Sequence, residues 1–411
     1  VVSGARREDG DPGAVSAVVA AMSAFAGDLY GRLAAGDGNL ALSPYSVTAA
    51  LGMTLNGAGG RTAQQMSEVL GLGDRLDLAA FNAGLNALIR AVAKQSALNG
   101  DTLVGFRHGW RGVVDGDAFP LTRDHVRGVL PLGGTMLGTT RFHPHENNGG
   151  IDAVLETLKH EHIGALICVG GDGTLHAAGK LAEAGVTMVC APKTIDNDVW
   201  GTDRSVGFDT AVSIATEALD RVHTTAESHD RVMVVEVMGH HVGWIAVAAG
   251  IAGGADQILI PEEPFDIEEV CAALRKRHEA GNFASIVVVA EGATPVEGTM
   301  SLLSGELDQF GHPRLGGVGQ RLTEEIEDRT GYETRVTILG HVQRGGTPTA
   351  RDRVLATRYG LKAAELVLEG KFGRMAALHG DEVVDVSLEE ATAELKRVPA
   401  DWFEVARTFF G

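Results

Sequence analysis

The chain reads as an α/β protein: two doubly wound lobes with mostly parallel sheets, preceded by a helical N-terminal segment. Three observations predict this. From about residue 101, apolar runs of strand length alternate with longer amphipathic runs, the rhythm of sheets joined by crossover helices. The short runs are apolar on consecutive positions, as strands covered on both faces are, which favours parallel sheets over half-exposed antiparallel ones. Residues 1 to about 80 are instead Ala-rich and helical in spacing, with no convincing strand–helix–strand unit.

The elements follow in chain order. In "AVSAVVAAMSAFAG", residues 14 to 27, an apolar stripe of Val18, Met22, Phe25, Leu29 and Leu33 runs on past any cleavage point, so it predicts a helix and not a signal-peptide core. Ser43 suits an N-cap with Pro44 at the first helical position, and Gly71 is placed to end a later helix. Phe81, Leu85, Leu88 and Val92 continue one helical stripe. Strands are predicted at "DTLVGF", "GALICVGG", "VTMVCAP", "RVMVVEVM", "QILIP", "SIVVVAEG" and "RVTILGH". Between them "TAVSIATEALDRVHTT", "IEEVCAALRKRHEAG" and "VGQRLTEEIEDRTG" predict helices.

Composition narrows the function classes. With 411 residues, 44% hydrophobic, the chain is long enough for two or three domains with real cores. A formal net charge of −19 argues against nucleic acid as a partner, since a phosphate backbone is bound through clustered Lys and Arg. Any phosphate must be held by local chemistry. No run is long enough to span a membrane. The three cysteines, Cys168, Cys190 and Cys271, lack metal-ligand spacing, which points to a reduced, cytoplasmic protein.

Three motifs carry chemistry. "GALICVGGDGTLHAAGKL" reads as strand, glycine turn and helix, where backbone N–H groups face an anion and glycines allow close approach. Asp172 falls at the carboxyl end of that strand, and a carboxylate beside phosphates calls for a cation between them, so it is assigned to Mg²⁺. It could equally cap the following helix. "PKTIDND" follows the next strand, and Asp196 and Asp198, two apart on a strand extension, could project to one side, one as a base and one orienting substrate. An Asp-Asn turn with solvated side chains is the plainer reading. "TRVTILGHVQRGGTPTARDR" places Arg335, His341 and Arg344 about a strand end and a glycine turn, which suits a sugar phosphate; singly, each would be a surface ion pair or a structural histidine.

Taken together, "DTLVGFRHGWRGVV", "GGTMLGTTRF", "GGDGT", "PKTIDND", "GFDTAV", "ESHDRVMVVEVMG", "VVVAEGA" and "LGHVQRGG" make the chain from about Gly84 to Gly411 closely similar to the 6-phosphofructokinases. The resemblance implies two Rossmann-like lobes, residues 84–207 plus 342–395 for ATP and Mg²⁺ and residues 208–341 plus 396–411 for the sugar phosphate. It implies transfer of the terminal ATP phosphate to the 1-hydroxyl of fructose 6-phosphate. Asp196 is then the base, Thr194 and Asp198 assist, Asp172 binds the metal, and Arg141 stabilises the migrating charge. Gly170, Gly171, Gly173, Thr174, Arg141 and Phe142 hold the nucleotide. Thr194, Asp196, Asp198, Met238, Gly239, Glu291, His341 and Arg344 hold the sugar phosphate, with Arg231 and Arg335 reaching in from a neighbouring subunit. A homo-oligomer, a tetramer by resemblance, with sites shared between subunits is expected.

Residues 15 to 83 resemble the N-terminal helices of the serpins, through "AFAGDLYGRL", "NLALSPYSVTAALGMTLNGAGGRTAQQMSEVL" and "LAAFNAGLNAL", without a reactive loop. Against the phosphofructokinase pattern, "RLDLAAFNA" stands where a first strand and glycine-rich loop are expected, and "NLALS", residues 39 to 43, is the substitute strand on offer. His240 stands where the family carries Arg, an imidazole only partly charged near neutrality. Gly173 leaves room for the inner phosphate of ATP, whereas Lys193 is typical of pyrophosphate users, so ATP is the expected donor and pyrophosphate the alternative. A sugar-phosphate-binding protein without turnover, a protease inhibitor, and a lipid or dinucleotide kinase sharing "GGDGT" are the rival readings.

Overall fold

The computed structural model describes residues 84–300, 317–408 and 410. The helices expected before residue 84, including those at Ser43–Pro44 and before Gly71, the substitute strand at 39–43 and the serpin-like segment lie outside the described residues.

The first described element, α1 (Leu85–Asn99), begins after Gly84, whose φ of 80° belongs to the left-handed region that glycine adopts without strain. Its Leu85, Leu88, Ile89 and Val92 are buried, as the stripe predicts; Phe81 lies outside the described residues. Next come β1 (Val104–Phe106), α2 (Trp110–Asp115), β2 (Ala118–Pro120) and α3 (Gly150–His160). β1 and β2 form a separate antiparallel pair.

The first large sheet is built from β3 (Leu166–Gly170), β4 (Met188–Thr194), the two-residue β5 (Val206–Gly207), β10 (Arg374–His379) and β11 (Glu382–Ser387). Its order is β11-β10-β4-β3, with β5 beside the end of β4; all pairings are parallel except β10 with β11. The crossover from β3 to β4 is α4 (Asp172–Glu183), whose Leu175, Ala177, Ala178 and Leu181 pack on the sheet. β3 ends this sheet: among the described residues no strand pairs with its other edge.

α5 (Phe208–His229) leads to the second sheet, β6 (Val232–Val237), α6 (Trp244–Ala252), β7 (Gln257–Leu259), α7 (Ile267–Glu279), β8 (Ser285–Ala290), α8 (Val318–Thr330) and β9 (Thr334–Ile338). Its order, β7-β8-β6-β9, is parallel throughout. Every residue of β6 and β8 is buried, which is why both read as nearly continuous apolar runs; the exception in β6, Glu236, accepts from Gly319 N at 2.9 Å. After β9 the chain returns through α9 (Ala350–Leu368) to the first sheet, then closes with α10 (Leu388–Ala391) and α11 (Ala400–Arg407). Asp352 of α9, 1% exposed, clasps the start of α5: it accepts from Gly207 N at 3.1 Å, Thr210 N at 2.9 Å and Thr210 Oγ1 at 2.5 Å. Among the described residues no helix is long and apolar enough to cross a membrane. The three cysteines are free and buried.

Candidate active site

Parallel strands deliver their carboxyl ends to one side of a sheet, and the loops leaving those ends gather the candidate residues. Gly170 and Gly171 follow the apolar run of β3. A Cβ on Gly170 would lie 2.4 Å from Thr174 Cβ, and one on Gly171 would lie 3.2 Å from Thr194 Cβ. The turn therefore lies flat against the end of β4. Asp172 is the first residue of α4, but no side chain caps that helix; its Oδ1 lies 3.2 Å from His176 Nδ1, one turn on. The helix-cap reading of Asp172 is thereby set aside.

The expected strand extension through Asp196 and Asp198 is corrected. β4 stops at Thr194, and Asn197 takes a φ of 55°, which turns the chain. Asn197 is fully buried and pins the loop: its Oδ1 accepts from Ser205 N at 2.9 Å and its Nδ2 donates to Asp203 O at 3.3 Å. The turn of the plainer reading is present; its solvated side chains are not. Asp196 N donates to Thr194 Oγ1 at 3.2 Å, and both aspartates are half-buried.

Their titration reports who faces whom. Burial, helped by the nearby Asp196 and Asp172 charges and opposed by Lys396, pushes the Asp198 carboxyl up to about 7. Asp198 Oδ1 is buried without a hydrogen-bond partner. Burial also raises Asp196, against the pull of Arg344, Lys193, His241 and the Thr194 hydroxyl. Lys193, on β4, is brought down to about 8 by burial and by Arg344, with Asp196 holding it up.

The second sheet supplies the facing wall. At the end of β6, Met238 N donates to the buried Gln343 at 3.2 Å, and Gly239 N approaches Glu291 Oε1 at 3.4 Å. Burial raises Glu291, with the Asp196 charge adding to it and Arg344 opposing. His341 and Arg344 lie in the short 3₁₀ turn after β9, with Arg344 Nε 3.3 Å from Met238 Sδ. Burial lowers His341, and the Arg344 and Arg141 cations lower it further, so Arg141 also faces this space. Phe142 lies under the Arg111 guanidinium at 5.4 Å.

Two candidates sit elsewhere. Arg335 is paired in register with Met233 near the start of β6, and Arg231 immediately precedes that strand. Both bond Glu333 Oε1, at 2.6 and 2.7 Å. Arg335, His341 and Arg344 are thus not arrayed along one strand: β9 ends at Ile338, and Arg335 belongs to the far end of the sheet.

Several neighbours escaped the sequence reading. His143 reaches the glycine turn, 3.4 Å from where a Gly173 Cβ would lie, and its buried Nδ1 has no partner. Lys396 bonds the Thr202 and Asp203 carbonyls at 2.7 and 2.9 Å, and burial brings it to about 7. His241 stacks edge-on against His240 at 4.1 Å. A lone histidine or a lysine two hundred residues away carries no local pattern that marks it.

Among the described residues no three His, Cys, Asp or Glu side chains form a metal cage. Asp172, at the start of α4 beside the glycine turn, carries hard carboxylate oxygens of the kind magnesium takes together with phosphate oxygens, so the residue assigned to that ion fits it.

Comparisons with known proteins place the chain in a family. The family model for phosphofructokinase matches residues 77–367. A second, for serpins (serine protease inhibitors), matches residues 20–105, mostly outside the described part. A pyrophosphate–fructose 6-phosphate 1-phosphotransferase of Amycolatopsis methanolica is 54% identical over 329 residues, covering 80% of this chain and 96% of that protein. An ATP-dependent 6-phosphofructokinase of Corynebacterium efficiens is 52% identical over 330 residues, covering 80% and 95%. The solved phosphofructokinase of Pichia pastoris in its T-state superposes with a TM-score of 0.68 at 30% identity, over 80% of this chain and 35% of that longer one. With a family model matching residues 77–367 and relatives more than half identical over 80% of its length, the chain belongs to the phosphofructokinase family.

Proposed function

We propose that the chain transfers a phosphoryl group to the 1-hydroxyl of fructose 6-phosphate, with ATP as donor. One observation carries the reading: Asp198 feels the charges of both Asp172 and Asp196, so three carboxylates share a crevice whose other wall holds His341 and Arg344. That is a donor side and an acceptor side facing each other, as phosphoryl transfer requires.

Asp196 accepts the proton of the attacking hydroxyl, and Arg344, Lys193 and His241 around it favour the ionised form needed for that step. Asp198 keeps a proton up to about neutral pH and so donates a hydrogen bond while adding no charge. Arg344 and His341 take the sugar phosphate, with Glu291 and the backbone at Met238 and Gly239 fixing the ring. The glycine turn and the start of α4 face the donor phosphates with N–H groups. Magnesium, held by Asp172, would neutralise phosphate charge. A second copy of this chain would bring its own Arg231 and Arg335, which lie too far along β6 to serve the site of their own chain. Free buried thiols suit a reducing cytoplasm.

Pyrophosphate is the second reading, favoured by Lys193: an ammonium still largely charged at neutral pH, beside Asp196, can meet an inner phosphate that carries no nucleoside. Gly173 favours ATP, because among the described residues only His143 borders the space a side chain would fill there. The test is a coupled assay with magnesium, fructose 6-phosphate and each donor in turn, on the parent and on Asp196→Ala. Turnover with ATP that vanishes in the variant supports the reading. Turnover with pyrophosphate alone replaces the donor, equal rates in both proteins remove Asp196 as base, and sugar-phosphate binding without turnover leaves a binding protein.

A further inference from the structure

Lys396, between α10 and α11, belongs to none of the motifs that mark the site, yet it grips both limbs of the loop that carries the aspartates. Its backbone N–H donates to Asp198 O at 2.8 Å. Its Nζ donates to Thr202 O at 2.7 Å and to Asp203 O at 2.9 Å. Beside it, Leu395 pairs with Val199 in an antiparallel bridge. One side chain and its own peptide group thus span the loop from Asp198 to the point where the chain heads back into β5.

The same segment is tied to the facing wall. The Lys396 carbonyl accepts from Trp244 Nε1 at 2.8 Å, and the ammonium lies 5.3 Å from the Trp244 ring centroid. Trp244 is buried and opens α6, shortly after Met238 and Gly239 at the end of β6. Val398 N donates to Glu262 Oε1 at 3.0 Å, and Glu262 also accepts from Gly243 N at 2.9 Å. Residues 395–398 therefore form a strap with one end on the Asp198 loop and the other on Gly243 and Trp244. Carbonyls and an aromatic face offset the cost of burying the ammonium. Burial and the Arg204 charge lower it to about 7, while Asp203 and Asp198 hold it up.

We propose that, given the reaction proposed above, Lys396 is a positioning residue for it: the strap fixes the loop of Asp196 and Asp198 against the wall of Met238, Gly239 and Trp244, and so sets the distance from base to acceptor hydroxyl. Lys396 acts through that loop and touches no substrate, its Nζ being spent on two protein carbonyls. A base displaced by a fraction of an ångström to an ångström slows the chemical step far more than it weakens ground-state binding. The glycine turn on the donor side, and His341 and Arg344 on the acceptor side, are held by other elements, so binding of both substrates should survive loss of the strap.

The test is kinetic, on the full-length chain, with rates expressed per fructose 6-phosphate-binding site counted by calorimetry, so that unfolded protein does not enter. In Lys396→Met the saturated rate per site should fall about 10–100-fold while both KM values stay within about threefold of the parent. Trp244→Phe keeps a ring and removes the bond to the Lys396 carbonyl, so it should show a smaller fall of the same kind, and the double variant should lose little more than Lys396→Met alone. An unchanged rate per site in Lys396→Met, or in Trp244→Phe should the first variant not fold, would overturn the proposal and leave Lys396 a structural residue. A rise in both KM values with the rate per site intact would overturn it as well. A parent that turns over with neither donor would instead remove the proposed function, and the role of Lys396 with it.

Discussion

Replacing Asp198 by Asn should make the folded chain more stable at alkaline pH and change little at acid pH. The carboxyl titrates at about 7 in the fold, against 3.8 for an ordinary aspartate, chiefly because it is buried. The fold therefore favours the protonated form. Its contribution is fully present below 3.8 and is lost as pH rises through about 7, since the folded state binds the extra proton across that window. A difference of about 3 units corresponds to roughly 4 kcal/mol in all, of which about 2–3 kcal/mol falls between about pH 5 and about pH 8. Asn keeps the shape and carries no charge at either pH. Urea unfolding of parent and Asp198→Asn across that range should show the gap widening by this amount towards high pH. A gap that stays constant with pH would mean that Asp198 ionises freely, and the neutral hydrogen-bond donor assigned to it would fall.

Other expectations are as direct. Asp196→Ala should lower turnover by about 10²–10⁴-fold, and in the parent the rate should fall as pH drops through the raised Asp196 value, read from a pH–rate profile in the coupled assay. Lys193 loses its charge as pH rises through about 8, so the donor KM should climb there in the parent and stay flat in Lys193→Met. Asp352→Ala strips three bonds from the start of α5 and should cost about 3–5 kcal/mol in urea unfolding, with Asp352→Asn costing less. Inactive Asp196→Ala and Arg335→Ala chains, dissociated and reassembled together, should regain activity if Arg335 serves a neighbouring copy; two pools that stay inactive would return Arg335 to its surface pair with Glu333.

All seven strands predicted from apolar runs are present; β6 and β8, buried on both faces, leave the plainest signature, whereas β9 is half-exposed and still legible from its β-branched residues. β10 escaped because "RMAALH" reads as a continuation of the helix before it, and β11 because its charges alternate with short apolar residues at a sheet edge. The glycine turn was legible because backbone geometry there demands glycine, as the 2.4 Å approach at Gly170 shows. The Asp196–Asp198 turn was misread as extended, since only Asn197 marks it and Asn suits both states in a sequence. Lys396 and His241 were not legible at all: what places them beside the carboxylates is tertiary, not periodic.

The path of the chain sets an order of assembly on the ribosome. Strands β6 to β9 occupy one uninterrupted stretch, complete at Ile338, so that sheet can close as soon as its last strand emerges. The other sheet must wait for Arg374–His379, which lies beside a strand made nearly two hundred residues earlier. Until then the outer flank of β4 is bare and open to chaperones, to misfolding, or to a stray strand from a neighbouring nascent chain.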